Sequence, residues 1–462
     1  MLIKYNNLSQ QLPAALIASL QTVAGFDEES FVLAHESGER IVSVRLNPAK
    51  SLHLISAYSS FEKVPWSNKA WYLPERPSFT LDPSFHAGAY YVQEASSMFL
   101  GEVLDQTCDL AKDICVLDLC AAPGGKSIHI QSMITAGSLL VSNEVIKSRV
   151  NVLVENITKS GAANVVISNN DSRHFNSLNQ FFDVIVVDAP CSGSGLFRKD
   201  PTAINEWSLQ NTEHCSLRQQ RILADIVSSL KPGGVLIYST CSYSECENEK
   251  ISDWIVINHS FTSIPLEVKK DWKIIESVTR QGNAGYRFYP GKIKGEGFFI
   301  AAFKKAGFEH IKKAGIKNKL QLLTQKELNI IKPFINAALS LTYIKWKNDV
   351  LALPAGIYKN LEYLKNTLYL KKAGVNIGSI VRDEFIPSHE LAVSTILSIH
   401  FPFIEVGKAQ ALEYLRRHEF KIETSLKGWV ILKYNTLPMG WVKILANRIN
   451  NYYPKEWRIL NK

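Results

Sequence analysis

Beyond residue 112 the chain alternates short apolar runs with longer stretches whose apolar positions recur at helical spacing. The runs at 115–119 (CVLDL), 139–142 (LLVS), 164–168 (NVVIS), 182–187 (FDVIVV) and 235–238 (VLIY) predict strands. Their apolar positions are consecutive, which marks strands buried on both faces. Residues 217–230 predict a helix ended by Pro232 and the Gly233-Gly234 pair. Residues 297–303 (GFFIAAF) predict a last strand. Strands alternating with helices in this order form βαβ units. The expected fold is therefore α/β, with a parallel sheet covered on both faces.

The flanking segments read differently. Residues 1–95 mix short apolar runs with proline, and 30–34, 41–46 and 90–92 have strand character. A Lys-rich stretch at 304–319 reads as a boundary, and 320–341 is expected to be helical. The tail from about 395 sets Trp429, Tyr434, Trp441, Tyr452, Tyr453 and Trp457 among basic residues.

Composition narrows the class. At 462 residues the chain exceeds one ordinary domain, and 46% hydrophobic residues exclude global disorder. No apolar run approaches the ~18 residues of a membrane span. The first residues, MLIKYNNLSQQ, lack a signal-peptide layout, so a cytoplasmic protein is expected. Seven cysteines, an odd number in so long a chain, argue for reduced thiols rather than a disulfide framework. The net charge of +9 is uneven: residues 1–300 carry 26 Lys+Arg against 31 Asp+Glu, and 301–462 carry 26 against 12. A basic third beside an acidic remainder points to a polyanion-binding module next to a different activity.

Candidate chemistry sits where the predicted strands end. The first strand runs into a turn of Cys120, Ala121, Ala122, Pro123, Gly124, Gly125 and Lys126. Its glycine pair allows close backbone approach to a ligand, and open α/β sheets bind ligands at this end. The second strand ends at Glu144 and the third at Asp171. Either acid alone equally suits a turn or helix cap. Together with the glycine turn they suit an adenosine ligand, a nicotinamide cofactor or S-adenosylmethionine.

The fourth strand runs into DAPCSGSG and the fifth into STCSYSECENE. Asp188 and Cys191 follow the former, and Cys241 lies in the latter. The fold is expected to bring both thiols to one face. No Cys or His spacing suits zinc, so no metal is expected. The other five cysteines read as packing or incidental surface residues. Two thiols and a carboxylate beside an adenosine ligand suit one chemistry in particular. Carbon 5 of cytosine is a poor nucleophile until a thiolate adds to carbon 6. An acid at ring N3 supports that addition, and a base must later remove the carbon 5 proton to release the enzyme.

VLDLCAAPGGKS (116–127), DVIVVDAPCSGSG (183–195) and YSTCSYSECENE (238–249) follow RLNPAK (45–50) and GAYYVQEASSM (88–98). In this order they resemble the Sun/Fmu-type (NOL/NOP/Sun) RNA 5-methylcytosine methyltransferases. GLFRKDP (195–201) and the tail from 428 resemble the bacterial branch that modifies small-subunit ribosomal RNA. The resemblance implies a Rossmann-like class I methyltransferase using S-adenosyl-L-methionine. It implies a small N-terminal α+β domain and a C-terminal PUA-like extension that binds RNA. Expected divisions are 1–95 (RNA binding or linker), 96–305 (methyltransferase), 306–394 (intermediate) and 395–462 (PUA-like).

The resemblance also implies roles. Cys241 is the nucleophile and Cys191 the thiol needed for product release. Asp188 meets the target base near N3 as the acid, and borders the cofactor. The turn from Cys120 through Lys126 cradles the methionine part, Glu144 takes the ribose, and Asp171 the adenine side. Lys126 orients Asp188, or is only its ion-pair partner. Arg198 and Lys199 contact RNA phosphate or form an exposed loop. The expected partner is ribosomal RNA or the small subunit, with no membrane and a monomeric state. Two rivals are a nicotinamide-dependent oxidoreductase and an assembly protein whose methylation is dispensable. Removing residues from about 310 onward is expected to weaken RNA binding far more than cofactor binding.

Overall fold

The computed structural model describes residues 12–51, 54–307 and 319–460. The leader reading at 1–11 and most of the Lys-rich boundary (308–318) lie outside the described residues. A three-stranded antiparallel sheet opens the chain, from β1 (Val42–Leu46), β2 (Ala70–Leu73) and β3 (Tyr90–Val92), with β1 in the middle. Residues 30–34 are not a strand but part of the helix Glu28–Glu36. The run there is too short to show its period, and the preceding acids Glu28 and Glu29 fill a helical first turn.

The central sheet carries β4 (Cys115–Asp118), β5 (Leu139–Asn143), β6 (Val165–Ser168), β7 (Phe182–Asp188) and β8 (Leu230–Thr240), all mutually parallel. Their spatial order is β6-β5-β4-β7-β8. The antiparallel strands β9 (Phe261–Ser263), β10 (Ile275–Val278), β11 (Ala284–Phe288) and β12 (Phe298–Lys305) extend it beyond β8. Alternate residues face opposite cores. Val184 and Val186 of β7 pack on one side with Val116, Ile237 and Ile300. Ile185 and Val187 pack on the other with Leu117, Leu236 and Phe299. Both faces are therefore apolar, which is why these strands read as unbroken apolar runs.

Two boundaries differ from the sequence reading. The helix expected at 217–230 spans Leu209–Ile226, with the Ser208 side chain accepting from the Asn211 N–H as its cap. A polar first half hides that start. The Pro232-Gly233-Gly234 turn lies inside the span of β8 rather than ending the helix. Residues 320–341 are not one helix: the helix Gln325–Ile331 is capped by a Thr324–Glu327 box, and Leu341 begins a strand.

The C-terminal third builds two further sheets around the first. β13 (Leu341–Trp346), β14 (Asp349–Pro354), β16 (Val375–Val381) and β17 (Glu384–Pro387) form one. Between them in sequence, β15 (Leu370–Ala373) leaves this group and pairs antiparallel with β6, becoming the far edge of the central sheet. Ile344, Leu353, Leu361, Leu364 and Leu368 pack in the same core as the β7 and β8 side chains. The last sheet runs β18 (Phe403–Glu405), β19 (Gly428–Tyr434), β20 (Leu437–Ile444) and β21 (Ile449–Asn451). It shares a core with the N-terminal sheet, Val430, Leu432 and Tyr414 packing with Val44, Leu46 and Trp71.

Lys50 of RLNPAK stitches these parts together. Its Nζ donates to the carbonyls of Ala87 (2.9 Å), Lys159 (2.6 Å) and Val393 (2.5 Å). Removing residues from 310 onward would strip one core and halve another, so that truncation does not isolate RNA binding. The divisions at 95, 305 and 394 remain proposed functional boundaries. Trp441 is fully buried with its Nε1 donating to the Ser388 carbonyl, whereas Trp429 is half-buried against Tyr452. No helix among the described residues is long and apolar enough to cross a membrane.

Candidate active site

The parallel strands deliver the candidate residues to one edge of the sheet. After β4 the chain turns through Cys120, Ala121, Ala122, Pro123, Gly124 and Gly125 into the helix Gly125–Gln131. Gly124 has φ 115°, a region that side chains disfavour. A Cβ on Gly125 would come within 2.9 Å of the Tyr91 ring. The turn is held from outside: Arg149 Nη2 donates to the Ala122 carbonyl (2.6 Å) and Asn156 Nδ2 to that of Pro123 (2.9 Å). Beneath it, Ser127 Oγ donates to Asp118 (2.6 Å), whose carboxyl burial pushes up to about 7.

Glu144 follows β5 and is 2% exposed. One carboxylate oxygen accepts the Ile146 N–H (2.8 Å), and Arg149 stands 3.4 Å from the other. Asp171 follows β6. Its Oδ1 accepts both the backbone N–H and the Nε of Arg173, and these bonds hold the carboxyl below its usual range. Two acceptor-only carboxylates after consecutive strands fit a ribose diol and an adenine amino group, both donors. With the open glycine turn on the neighbouring strand β4, beside Glu144, this set of groups fits S-adenosylmethionine.

Asp188 ends β7. Its Oδ1 accepts from Ser239 Oγ (2.8 Å) and its Oδ2 lies 2.8 Å from Lys126 Nζ. Burial pulls the Lys126 pKa down, but Asp188 outweighs it and holds the ammonium above the usual lysine value. The ammonium also sits 5.1 Å from the Phe298 ring centroid.

The two predicted thiols meet. Cys191 Sγ and Cys241 Sγ are 3.1 Å apart, and both cysteines are free. Contact with Cys241, and then burial, push the Cys191 thiol well above the usual range. A thiolate 3.1 Å away cannot share the site with a second one, so the pair can hold at most one negative charge.

One residue that the sequence did not single out organises both loops. Glu247 is fully buried. It accepts the Ser192 N–H (2.8 Å), Ser192 Oγ (2.6 Å), Ser242 Oγ (2.6 Å) and Gln219 Nε2 (3.3 Å). Ser192 follows Cys191 and Ser242 follows Cys241, so one carboxylate fixes both thiol-bearing turns. Gly195 lets them approach: its N–H donates to the Cys241 carbonyl (2.8 Å), and a Cβ there would lie 2.4 Å from the Gly297 carbonyl oxygen. Glu247→Ala is expected to leave the Ser192 N–H without its acceptor and to strip the Ser192 and Ser242 hydroxyls of their carboxylate partner. It should cost about 2–4 kcal/mol, read as a lowered urea midpoint. Glu247→Gln, which keeps an acceptor, should recover part of that loss.

Arg198 does not face solvent. Its side chain is 6% exposed, donating to the carbonyls of Gly295 (3.2 Å) and Glu39 (2.9 Å) near Glu296. It braces the loop, and the exposed Lys199 alone remains open to phosphate.

Comparisons with known proteins agree with this geometry. Residues 106–304 match the family 16S rRNA methyltransferase RsmB/F, 12–95 the N-terminal domain of 16S rRNA methyltransferase RsmF, and 401–459 the methyltransferase RsmF PUA domain. A ribosomal RNA small subunit methyltransferase F of Vibrio vulnificus is 30% identical over 80% of this chain and 79% of its own length. The one of Shewanella frigidimarina is 26% identical over 98% and 96%. A solved methyltransferase homolog from Pyrococcus horikoshii, 28% identical, covers 64% of this chain and all of its own, with a TM-score of 0.51. The Rossmann-like fold, the PUA domain and the S-adenosylmethionine cofactor are thereby shown. The chain belongs to the RsmB/F family of 16S rRNA methyltransferases, in its small subunit methyltransferase F branch.

Proposed function

We propose that this rRNA methyltransferase modifies carbon 5 of cytosine in small-subunit ribosomal RNA, through a bond between Cys241 and carbon 6. The observation that carries this reading is the pair of thiols 3.1 Å apart at the tips of β7 and β8, beside Asp188. When bound, S-adenosylmethionine supplies a methyl group activated for attack by a carbon nucleophile.

The chain's own groups do the rest. Cys241 adds to carbon 6 as the thiolate, its proton having passed to water, forming the C–S bond and moving the ring electrons toward carbon 5 and N3. The Lys126–Asp188 pair meets N3. Asp188 holds the Lys126 ammonium protonated, so the pair carries its proton there and passes it through Asp188. Once Cys241 is a thioether, its charge no longer opposes ionisation of Cys191. The Cys191 thiol can then give its proton to water and become the base for release. It takes the carbon 5 proton, the C–H electrons rebuild the ring double bond, the C–S pair leaves with Cys241, and the N3 proton returns through Asp188 to Lys126. Glu144 and Asp171 hold ribose and adenine, and the turn from Cys120 through Lys126 the methionine part.

The reading is tested by nucleoside analysis of small-subunit rRNA methylated by the purified protein with isotope-labelled methyl donor. The expected result is label in 5-methylcytidine. Label only in another nucleoside would overturn it.

A further inference from the structure

The C-terminal third reaches the active edge through β15. Because β15 runs antiparallel to β6, its first residue lies at the carboxyl end of β6. Just before it, the Tyr369 backbone is clasped by the residues that precede Asp171. The Asn169 N–H and Asn170 Nδ2 donate to the Tyr369 carbonyl, and the Tyr369 N–H donates to Asn170 Oδ1, all at 3.1 Å. The ring itself is not buried: Tyr369 is 60% exposed.

Its surroundings are cationic. Lys371 Nζ donates to the phenol oxygen (3.3 Å) and lies 4.9 Å from the ring centroid. Lys371, Lys347 and Lys147 hold the phenol below its usual pKa, the Lys371 hydrogen bond contributing most. These lysines come from three separate segments: β15, the turn between β13 and β14, and the start of the helix Lys147–Ser160. All three are exposed, and none forms an ion pair among the described residues. Val145 and Ile146, next to Glu144, add exposed apolar surface at 46% and 44%. Asn169 Nδ2 ties that loop in by donating to the Glu144 and Val145 carbonyls.

An exposed aromatic ring costs the fold apolar contact, and three unpaired cations beside it repel one another. A single strand of nucleic acid satisfies both, with a base on the ring and phosphates on the lysines. From Asp188 to this ring is four strand spacings, about 19 Å. A few nucleotides of extended strand cover that span. We propose that Tyr369, with Lys147, Lys347 and Lys371, is a stacking platform for single-stranded RNA flanking the target cytosine. This rests on the reading of the protein as an RNA methyltransferase.

The test uses the full chain and a fluorescein-labelled, single-stranded 12-nucleotide RNA containing cytosine. Anisotropy gives the RNA Kd, and calorimetry gives the Kd of S-adenosylhomocysteine. Tyr369→Ala is expected to weaken RNA binding at least about fivefold, while Tyr369→Phe stays within about twofold of the wild type. Replacing Lys147, Lys347 and Lys371 by Gln is expected to reduce the salt slope of log K by about 2. Affinity for S-adenosylhomocysteine should not change in any variant. Wild-type RNA affinity and salt slope in these variants would overturn the platform alone. Equal loss of RNA and S-adenosylhomocysteine binding would also overturn it, making Tyr369 part of the cofactor site. A wild-type protein that binds no RNA would overturn both the platform and the reading beneath it.

Discussion

Cys241→Ala is expected to abolish methylation, lowering kcat by at least about 10³-fold, while RNA and S-adenosylhomocysteine still bind. The loss is large because the substitution removes the covalent route itself. Carbon 5 of an unmodified cytosine has too little electron density to take a methyl group, and no neighbouring group in the site replaces the thiolate. Cys191 stands 3.1 Å away, but its thiol is pushed up by Cys241 and by burial. It loses the first of these when Cys241 becomes alanine, but burial still holds it up. Folding should be little affected, since the thiol sits at the end of β8 rather than in its core. Methyl transfer to labelled rRNA, read beside cofactor binding by calorimetry, checks both halves of this expectation. Retained turnover would remove Cys241 from the mechanism.

Cys191→Ala is expected to behave in the opposite way. Addition and methylation proceed, but no base takes the carbon 5 proton, so the Cys241–carbon 6 bond persists. Protein incubated with rRNA and methyl donor should therefore accumulate a species that migrates slowly on a denaturing gel. Alanine at both positions should give none. The asymmetry follows from the proposed roles: Cys241 attacks carbon 6, and Cys191 serves as the base only after Cys241 has become a thioether. A Cys191→Ala protein that turns over normally would show that release needs no second thiol.

Much of this site was legible because a parallel sheet buried on both faces writes continuous apolar runs into the chain. The residue after each run is then a ligand-edge residue, which is how Glu144, Asp171, Asp188, Cys191 and Cys241 were located. Glu247 was not legible. Its partners Gln219, Ser192 and Ser242 are scattered through Ser-rich turns that read as ordinary loop, and only the fold converges them on one carboxylate. Its trace in the sequence is the acidic run SECENE, too polar to suggest a buried member.

β15 was hidden for a similar reason. LKKA has no apolar alternation, because Lys372 is buried against Glu390 while Lys371 faces solvent. That strand also alters what the charge asymmetry means. The basic third is not an appendage holding RNA apart from the catalytic unit. It completes the central sheet and shares its core, so its lysines reach the rim of the active edge. Arg198, which sequence left between phosphate contact and exposed loop, is neither. It is consumed by two carbonyls and Glu296.

A covalent path runs, in the proposed mechanism, through Cys241 to carbon 5 of cytosine. Its most direct test is tandem mass spectrometry of the species trapped by Cys191→Ala, after digestion with trypsin and ribonuclease. The expected species is a cytidine nucleotide bearing one added methyl group, attached to the peptide that contains Cys241. Attachment at any other residue, or a modified nucleotide other than cytidine, would contradict it.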